Sequence, residues 1–300
     1  MKALITGGRG FVGNYLRRHC EEAGDEVVAI DHNGEEPVDI TDREALHASL
    51  ARHRPEVVYH LAALSHVGES WGDPTAVLRV NVEGTAHLLN ASRAAGVRRV
   101  VVIGSAEEYG RVEERDLPLH EDAPLRPISP YGVSKISASY LALQAHLAYG
   151  LGVVRVRAFS HTGPGQSDRF LVPALAHRIA IAEREHSDEI RVGSLDPVRD
   201  LSDVRDVVRA YRLLAIHGDS GEVYNVCSGS GVSVREIADL LVAASTRRLR
   251  ISVDPDLVRP VEVPRLVGDG SRLRTCTGWE PAHRLDETLA AVLEHFRESQ

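Results

Sequence analysis

Short runs of aliphatic and β-branched residues recur through the first half of the chain, each followed by a stretch of helical periodicity. "KALIT" precedes "FVGNYLRRHCEEAG", "EVVAI" precedes "REALHASLARH", "VVYHLA" precedes a helix from about Thr75 to Ala95, and "RVVVIGS" precedes a helix beginning near Tyr131 that leads into "GVVRVRAF". The strand segments are apolar without alternation, so both of their faces must be covered. Strands buried on both sides and separated by helices are joined by crossovers, which makes the sheet parallel. We therefore expect an α/β fold, a doubly wound parallel sheet over residues 1–160. Beyond it the pattern loosens into short strands such as "IRVG" and "LRISVD" mixed with helices such as "SVREIADLLVAAS" and a last one near "LDETLAAVLEHF". This predicts a smaller α+β lobe over 161–300, with residues 203–228 returning to pack on the first domain. There are no internal repeats or low-complexity segments.

The first strand runs directly into "GGRGFVG" and a helix, the context of a dinucleotide-binding Rossmann fingerprint. Gly7, Gly10 and Gly13 satisfy one form of the motif, and Gly8, Gly10 and Gly13 another. In either form the glycines let the backbone turn tightly and approach a pyrophosphate, which meets the exposed N–H groups of Phe11, Val12 and Gly13 at the helix start. Asp31 ends the second strand, at the place where a carboxylate accepts hydrogen bonds from ribose hydroxyls and repels a 2'-phosphate. That favours NAD(H). Arg9 points the other way, because a guanidinium in this loop would hold a 2'-phosphate or pair with Asp31, so NADP(H) stays open.

"SPYGVSK" places Tyr131 and Lys135 four positions apart at a helix start, hence on one face. A cation beside a phenol favours phenolate and lowers its pKa, so Tyr131 is a candidate proton carrier. Ser105 closes the strand of "VVIGSAEEYG", at the carboxyl end where ligands of open α/β sheets bind, and supplies a hydroxyl to fix a substrate oxygen.

With the glycine loop, Asp31, Ser105 and Y-x-x-x-K in this order, the chain resembles the extended short-chain dehydrogenase/reductase family nearly end to end. Further matches are "DITD" with Asp39 and Ile40 at the adenine edge, "YHLAALSHV", which contains Leu61, Ala62, Ala63 and Ser65, and "NVEGT" with Asn81. The resemblance implies that these residues, Ser65 apart, line the cofactor. It also implies that Tyr131 is the acid/base, that Lys135 shifts its pKa and binds the ribose, and that Ser105 partners the reacting oxygen. "HTGPGQ", "VGSLDPVRDLSDVRD" and "RPVEVP" are most similar to the GDP-mannose branch, whose members hold the nucleotide sugar with residues equivalent to Ser65, Glu107, Ser160, Arg199 and Arg259. Two residues differ from that pattern: Ser160 stands where the family has Asn, and Ala106 replaces a Ser or Asp.

The implied activity is reduction of the 4-keto group of GDP-4-dehydro-6-deoxy-D-mannose by NAD(P)H, to GDP-6-deoxy-mannose. The "HTGPGQ" loop and the short link from Asp31 to Val38, which has no room for the cofactor-contacting insertion of dehydratases, favour it. One rival is a GDP-mannose 4,6-dehydratase with Glu107 as the C5 base, and another is a nucleotide-sugar 4-epimerase; both would use tightly bound NAD(P). A non-catalytic dinucleotide sensor is the rival outside enzymes, and the intact Ser105, Tyr131 and Lys135 argue against it. The relatives pair their two equivalent helices into a bundle, so the small and apolar residues of "YLALQAHLAYG" imply a homodimer.

Composition narrows the remaining classes. A net charge of −8 with scattered arginines argues against a nucleic-acid surface. The 3 cysteines, Cys20, Cys227 and Cys276, lack metal-ligand spacing and suit reduced thiols in a cytoplasm. "MKALITGG" enters a strand with no signal-like stretch, and no uncharged run is long enough for a bilayer. No histidines pair as metal ligands, so His66 and His161 are expected to be loop or surface residues. "VEERD" reads as a solvated face, and Trp71 and Trp279 as packing residues.

Overall fold

The computed structural model of the chain describes residues 1–34, 37–257 and 263–298. Strands and helices alternate as the apolar runs predict: β1 (Lys2–Thr6), α1 (Phe11–Glu22), β2 (Glu26–Ile30), α2 (Arg43–His53), β3 (Val57–His60), α3 (Pro74–Leu78), α4 (Gly84–Ala94), β4 (Arg99–Ser105), α5 (Pro130–Tyr149) and β5 (Val153–Ala158). Val57, Val58 and Tyr59 are consecutive and all fully buried, which is why the strand sequences do not alternate. Tyr59, Val101 and Val154 pack toward α1, while Leu4, Val58, Val100 and Val153 pack toward α2, α4 and α5. Each such aliphatic side chain stabilises the fold by roughly 1.5–3 kcal/mol.

The helix expected from about Thr75 to Ala95 starts at Pro74 and is interrupted by a π-turn over Arg79–Glu83 between α3 and α4. The wider turn carries Asn81, which is 2% exposed. Such bulges commonly serve a site.

The later chain contributes β6 (Ser160–Thr162), α6 (Leu171–Arg184), β7 (Glu189–Val192), β8 (Val198–Asp203), α7 (Val204–His217), β9 (Val223–Val226), β10 (Gly231–Ser233), α8 (Val234–Ala243), β11 (Arg250–Val253), β12 (Arg265–Leu266), α9 (Ser271–Thr277) and α10 (Leu285–Glu298). The main sheet has the order β2-β1-β3-β4-β5-β9, parallel at every pairing. Thus β9 completes the sheet from far along the chain, and α7 packs beside α1. The segment at Leu273 and Trp279 joins the same core, with Trp279 Nε1 donating to the Asp206 carbonyl at 2.9 Å. Trp71, by contrast, is 52% exposed.

The lobe is built on β10-β8-β12, with β6 against β8, and on the pair β7/β11. Helices α6, α8 and α10 close a separate core around Ile179, Ile237, Leu241 and Val292. In the main sheet, the chain leaves β1 toward β2 on one side and toward β3 on the other, so a crevice opens above the ends of β1 and β3. The loops that begin at Gly7 and Leu61 frame it.

Candidate active site

The loop after β1 is shaped by contacts that only glycine permits. Gly7 has φ of 68°, and a Cβ there would lie 2.8 Å from Ala62 N; a Cβ on Gly13 would lie 2.2 Å from Gly7 O. Gly10 is different: its φ is −69° and a Cβ would have only Gly7 O nearby, at 3.2 Å. Packing does not demand a glycine at residue 10, but a ligand approaching the backbone would. Gly10 is also the N-cap of α1 and offers no side chain to the helix, so the N–H groups of the first turn face the crevice without a capping partner. This fits a pyrophosphate.

Asp31 ends its strand with Oδ2 accepting the Arg9 N–H at 3.1 Å and with His32 Nδ1 2.7 Å from Oδ1. The Arg9 backbone thus holds Asp31, while its guanidinium lies against Gly34, where a Cβ would come within 2.6 Å of Nη1. Asp39 Oδ1 accepts both the N–H and the hydroxyl of Thr41 at 2.8 Å. The Thr41 N–H, first among several causes, holds this carboxyl below its ordinary pKa. Asp39, Thr41, Asp73 and Arg79 line a depression of about 390 Å³. The Ile40 side chain instead packs on Gly84 in the core.

Leu61, Ala62 and Ala63 form the half-buried turn after β3. It is tied down by a chain of hydrogen bonds that the sequence reading did not anticipate. Thr6 Oγ1 is 2.8 Å from His60 Nδ1, His60 Nε2 is 2.9 Å from Thr85 Oγ1, and Thr85 donates to the Asn81 carbonyl at 2.6 Å. Burial first, and Lys135 second, push the His60 pKa down to about 3, so the ring is neutral. Because the Thr85 hydroxyl proton is committed to Asn81, His60 Nε2 must be the donor and Nδ1 the acceptor from Thr6. Thr6 Oγ1 in turn accepts the Ala62 N–H at 3.2 Å. Asn81 then holds the Leu64 N–H (2.8 Å) and donates to Ser134 Oγ (2.9 Å), and Ser134 donates to the Tyr131 carbonyl (2.7 Å). A histidine in an otherwise apolar strand, "VVYHLA", was the available signal.

Ser105 caps a 3-10 turn at Ala106–Glu108, accepting the Glu107 N–H at 3.2 Å. Helix α5 starts against that turn: Ser129 caps it by accepting the Gly132 N–H at 3.1 Å, and a Cβ on Gly132 would lie 2.6 Å from Glu107 O. Tyr131 is thereby presented toward Ser105, whose hydroxyl is the one influence that lowers its pKa. Lys135 Nζ donates to the Ile103 carbonyl at 2.8 Å and lies 5.8 Å from the Tyr131 ring centre. Both residues are 7% exposed.

The spacing of Tyr131 and Lys135 led us to expect a lowered phenol pKa, and here the structure corrects the sequence. Burial, reinforced by the charges of Glu107 and Glu108, raises the Tyr131 pKa, with only the Ser105 hydrogen bond opposing. The ammonium is turned to Ile103 and is itself brought down by burial to about 8. Tyr131 is therefore a neutral phenol at physiological pH, the protonation state of a donor.

On the lobe side, Ser160 is exposed on β6 and Arg199 is half-buried on the adjacent β8, where Nη1 donates to the Val198 carbonyl. Ser65 is exposed in the loop after β3, and Arg259 lies outside the described residues. His66 Nε2 sits 3.2 Å from the Arg169 carbonyl, and His161 Nδ1 2.9 Å from that of Phe159. Sequence reasoning also missed the buried pair Glu108–Arg157, 2.9 Å apart behind Ser105.

This crevice, with a glycine turn at one end and a Ser-Tyr-Lys group at the other, defines a dinucleotide-dependent enzyme of the short-chain dehydrogenase/reductase type. The chain belongs to the NAD dependent epimerase/dehydratase family, which it matches over residues 3–227. It is 36% identical to the GDP-6-deoxy-D-mannose reductase of Pseudomonas aeruginosa, over 98% of this chain and 97% of that one. Identity to the GDP-mannose 4,6-dehydratase of Yersinia enterocolitica is 27%, over 97% and 92%. The solved structure of RMD from Pseudomonas aeruginosa complexed with NADPH superposes with a TM-score of 0.92 at 35% identity, covering 100% of both chains.

Proposed function

We propose that the chain reduces the 4-keto group of GDP-4-dehydro-6-deoxy-D-mannose with NAD(P)H, giving GDP-6-deoxy-mannose. The observation that carries this reading is the buried Tyr131, its pKa raised by burial, beside Ser105 at the end of β4, in a chain that matches a GDP-6-deoxy-D-mannose reductase end to end. Bound in the crevice, the reduced nicotinamide would supply the hydride. Tyr131 Oη donates its proton to the oxygen at C4, and Ser105 Oγ holds that oxygen in line. Lys135, its ammonium anchored on the Ile103 carbonyl, is assigned to the nicotinamide ribose. The first-turn N–H groups of α1 hold the pyrophosphate, and Asp31 and Asp39 hold the adenosine end. Ser65, Glu107, Ser160, Arg199 and Arg259 are assigned to the nucleotide sugar.

Incubation with GDP-mannose, and separately with the 4-keto sugar and NADH or NADPH, followed by mass and NMR analysis, tests the assignment. Release of a 4-keto sugar from GDP-mannose without added reductant would install the dehydratase reading. The short link after β2 argues against that outcome: Val38 N–H donates to the Asp31 carbonyl at 2.8 Å, closing the loop at once.

We assign NADH as the preferred cofactor on the carboxylate of Asp31. The guanidinium of Arg9 beside Gly34 is the feature that favours NADPH. On α5, Val133, Tyr140 and Leu147 recur every seven residues and are 42%, 54% and 74% exposed, an apolar stripe that fits a homodimer through α5 and the helix preceding β4. A monomeric mass in light scattering at micromolar concentration would remove the dimer. Among the described residues no helix is long and apolar enough to cross a membrane, and the three cysteines are free thiols; both agree with a cytoplasmic site.

A further inference from the structure

One fully buried charge stands directly behind the reaction centre without touching the reacting atoms. Glu108 has 0% side-chain exposure, and its partner Arg157 has 5%. The two carboxylate oxygens are divided between two tasks. Oε1 accepts the Ser105 backbone N–H at 3.0 Å, which closes a capping box around the turn that carries Glu107. Oε2 accepts Arg157 Nε at 2.9 Å, and Arg157 Nη1 donates onward to the Tyr109 hydroxyl (3.1 Å) and the Glu121 carbonyl (2.7 Å). The carboxylate fits only because residue 104 is glycine, where a Cβ would lie 2.1 Å from Oε1.

Lys135 gives this charge a purpose: its Nζ is anchored to the Ile103 carbonyl at 2.8 Å and Glu108 Oε1 to the Ser105 N–H at 3.0 Å, two residues apart on β4. Of the 35 Lys and Arg residues in the chain, only Lys2 and Lys135 are lysine. A buried ammonium gives up its proton far more readily than a guanidinium does, so a lysine in the interior needs a compensating charge. Burial draws the Lys135 pKa down to about 8, and Glu108 is the charge that opposes the fall. The interaction is mutual, since Lys135, together with Arg157, opposes the burial that raises the Glu108 pKa. The other titratable groups around the pair are neutral His60 on β3, Glu107 on the turn after β4, Arg155 and Arg157 on β5, and Tyr131 on α5.

We propose that Glu108 is a positioning residue of the reaction: one carboxylate oxygen fixes Ser105 beside Tyr131, and the carboxylate is the counter-charge of the Lys135 ammonium anchored two residues away on β4. The inference rests on the reading of Ser105, Tyr131 and Lys135 as the reaction centre. Its sign is definite. Removing a negative charge beside an ammonium lowers the pKa of that ammonium, so any step that needs charged Lys135 must fail at a lower pH.

With two lysines in the chain, the protein grown on lysine labelled with ¹³C at Cε shows two side-chain signals, and Lys2→Arg assigns them. The parent protein should give a Lys135 midpoint near 8. In Glu108→Gln, which keeps the shape and the acceptor for Ser105, that midpoint should fall by about one pH unit while Lys2 stays put, and the alkaline limb of kcat should move with it. Because Glu108→Gln leaves Arg157 without its carboxylate partner, a second variant, Glu108→Gln with Arg157→Met, removes both charges together and should shift Lys135 the same way by less. A folded variant whose Lys135 midpoint equals or exceeds that of the parent overturns the proposal, even if its melting temperature and activity at every pH are reduced. The titration needs neither sugar nor cofactor. Failure of the parent to reduce the 4-keto sugar would therefore sink the reductase reading and leave this measurement intact.

Discussion

The two ends of the crevice are built by different means. At the proposed reaction end, Ser105, Tyr131 and Lys135 are held by a helix cap, by close backbone approach at Gly132, and by buried hydrogen bonds running from Thr6 to Ser134. At the proposed adenosine end, Asp39 is exposed and the carboxylate of Asp31 is 10% exposed, and each is placed by one or two local hydrogen bonds. Chemistry tolerates little displacement of the reacting groups, so they are fixed many times over. Cofactor selection needs only charge and approximate reach, so single side chains with local partners suffice. If this contrast is right, substitutions at the first end should be deep and those at the second shallow.

The deepest loss should come from Tyr131→Phe, which removes the proton donor and keeps the ring. We expect kcat to fall about 10² to 10⁴-fold with cofactor affinity nearly unchanged, measured by steady-state kinetics and nucleotide fluorescence titration. A loss of only a few-fold would mean that the proton comes from elsewhere and that the reaction end is no more constrained than the other.

Next is the scaffold itself. Asn81→Ala strips partners from the Leu64 N–H and from Ser134 Oγ at a fully packed place. Each buried group left unpaired costs about 1–3 kcal/mol, so thermal or denaturant unfolding should show a loss in that range, while a matching truncation at exposed Asp39 should stay well below it. Equal losses at the two positions would erase the comparison.

Glu107→Gln sharpens it from the chemical side. Reduction at C4 requires no C5 proton abstraction, so we expect at most about a tenfold fall in kcat/KM. A fall as deep as that of Tyr131→Phe would make Glu107 a base and the protein a dehydratase.

The smallest effect should be at the adenosine end. Asp31→Ala should weaken NADH by about tenfold, the scale of a lost hydrogen bond to a charged group, and NADPH by less. Equal losses would make Asp31 structural, and a parent preference for NADPH would hand the pocket to Arg9.

What could be read in the sequence follows the same division. The parallel sheet and the glycine turn were legible because each leaves a periodic or local mark: an unbroken apolar run for a strand buried on both faces, and glycines where the backbone must come close. Tyr131, Lys135 and Ser105 could be singled out, and the structure brings them together, but the direction of the Tyr131 pKa could not be read. A four-residue spacing reports that two side chains share a helix face. It does not report that the ammonium turns toward Ile103 or that the phenol is buried. Glu108, His60 and Thr85 escaped for a related reason, since their partners are 49, 54 and 25 positions away and only the folded sheet makes them neighbours. The π-turn at Asn81 likewise has no signature in a helix periodic enough to look regular.

The return of β9 to the edge of β5 bears on how the chain comes off the ribosome. When β5 has emerged, five of the six strands of the main sheet exist, yet the outer edge of β5 still presents unpaired N–H and C=O groups, and the apolar face under α7 is bare. The strand that seals that edge is made only after β6, α6, β7, β8 and α7. The nascent sheet must therefore wait, with an adhesive edge open, until much of the second half of the chain has been synthesised. A fragment cut at the end of β5 should be prone to aggregate through that edge, and the main sheet cannot be completed apart from a large part of the second half of the chain.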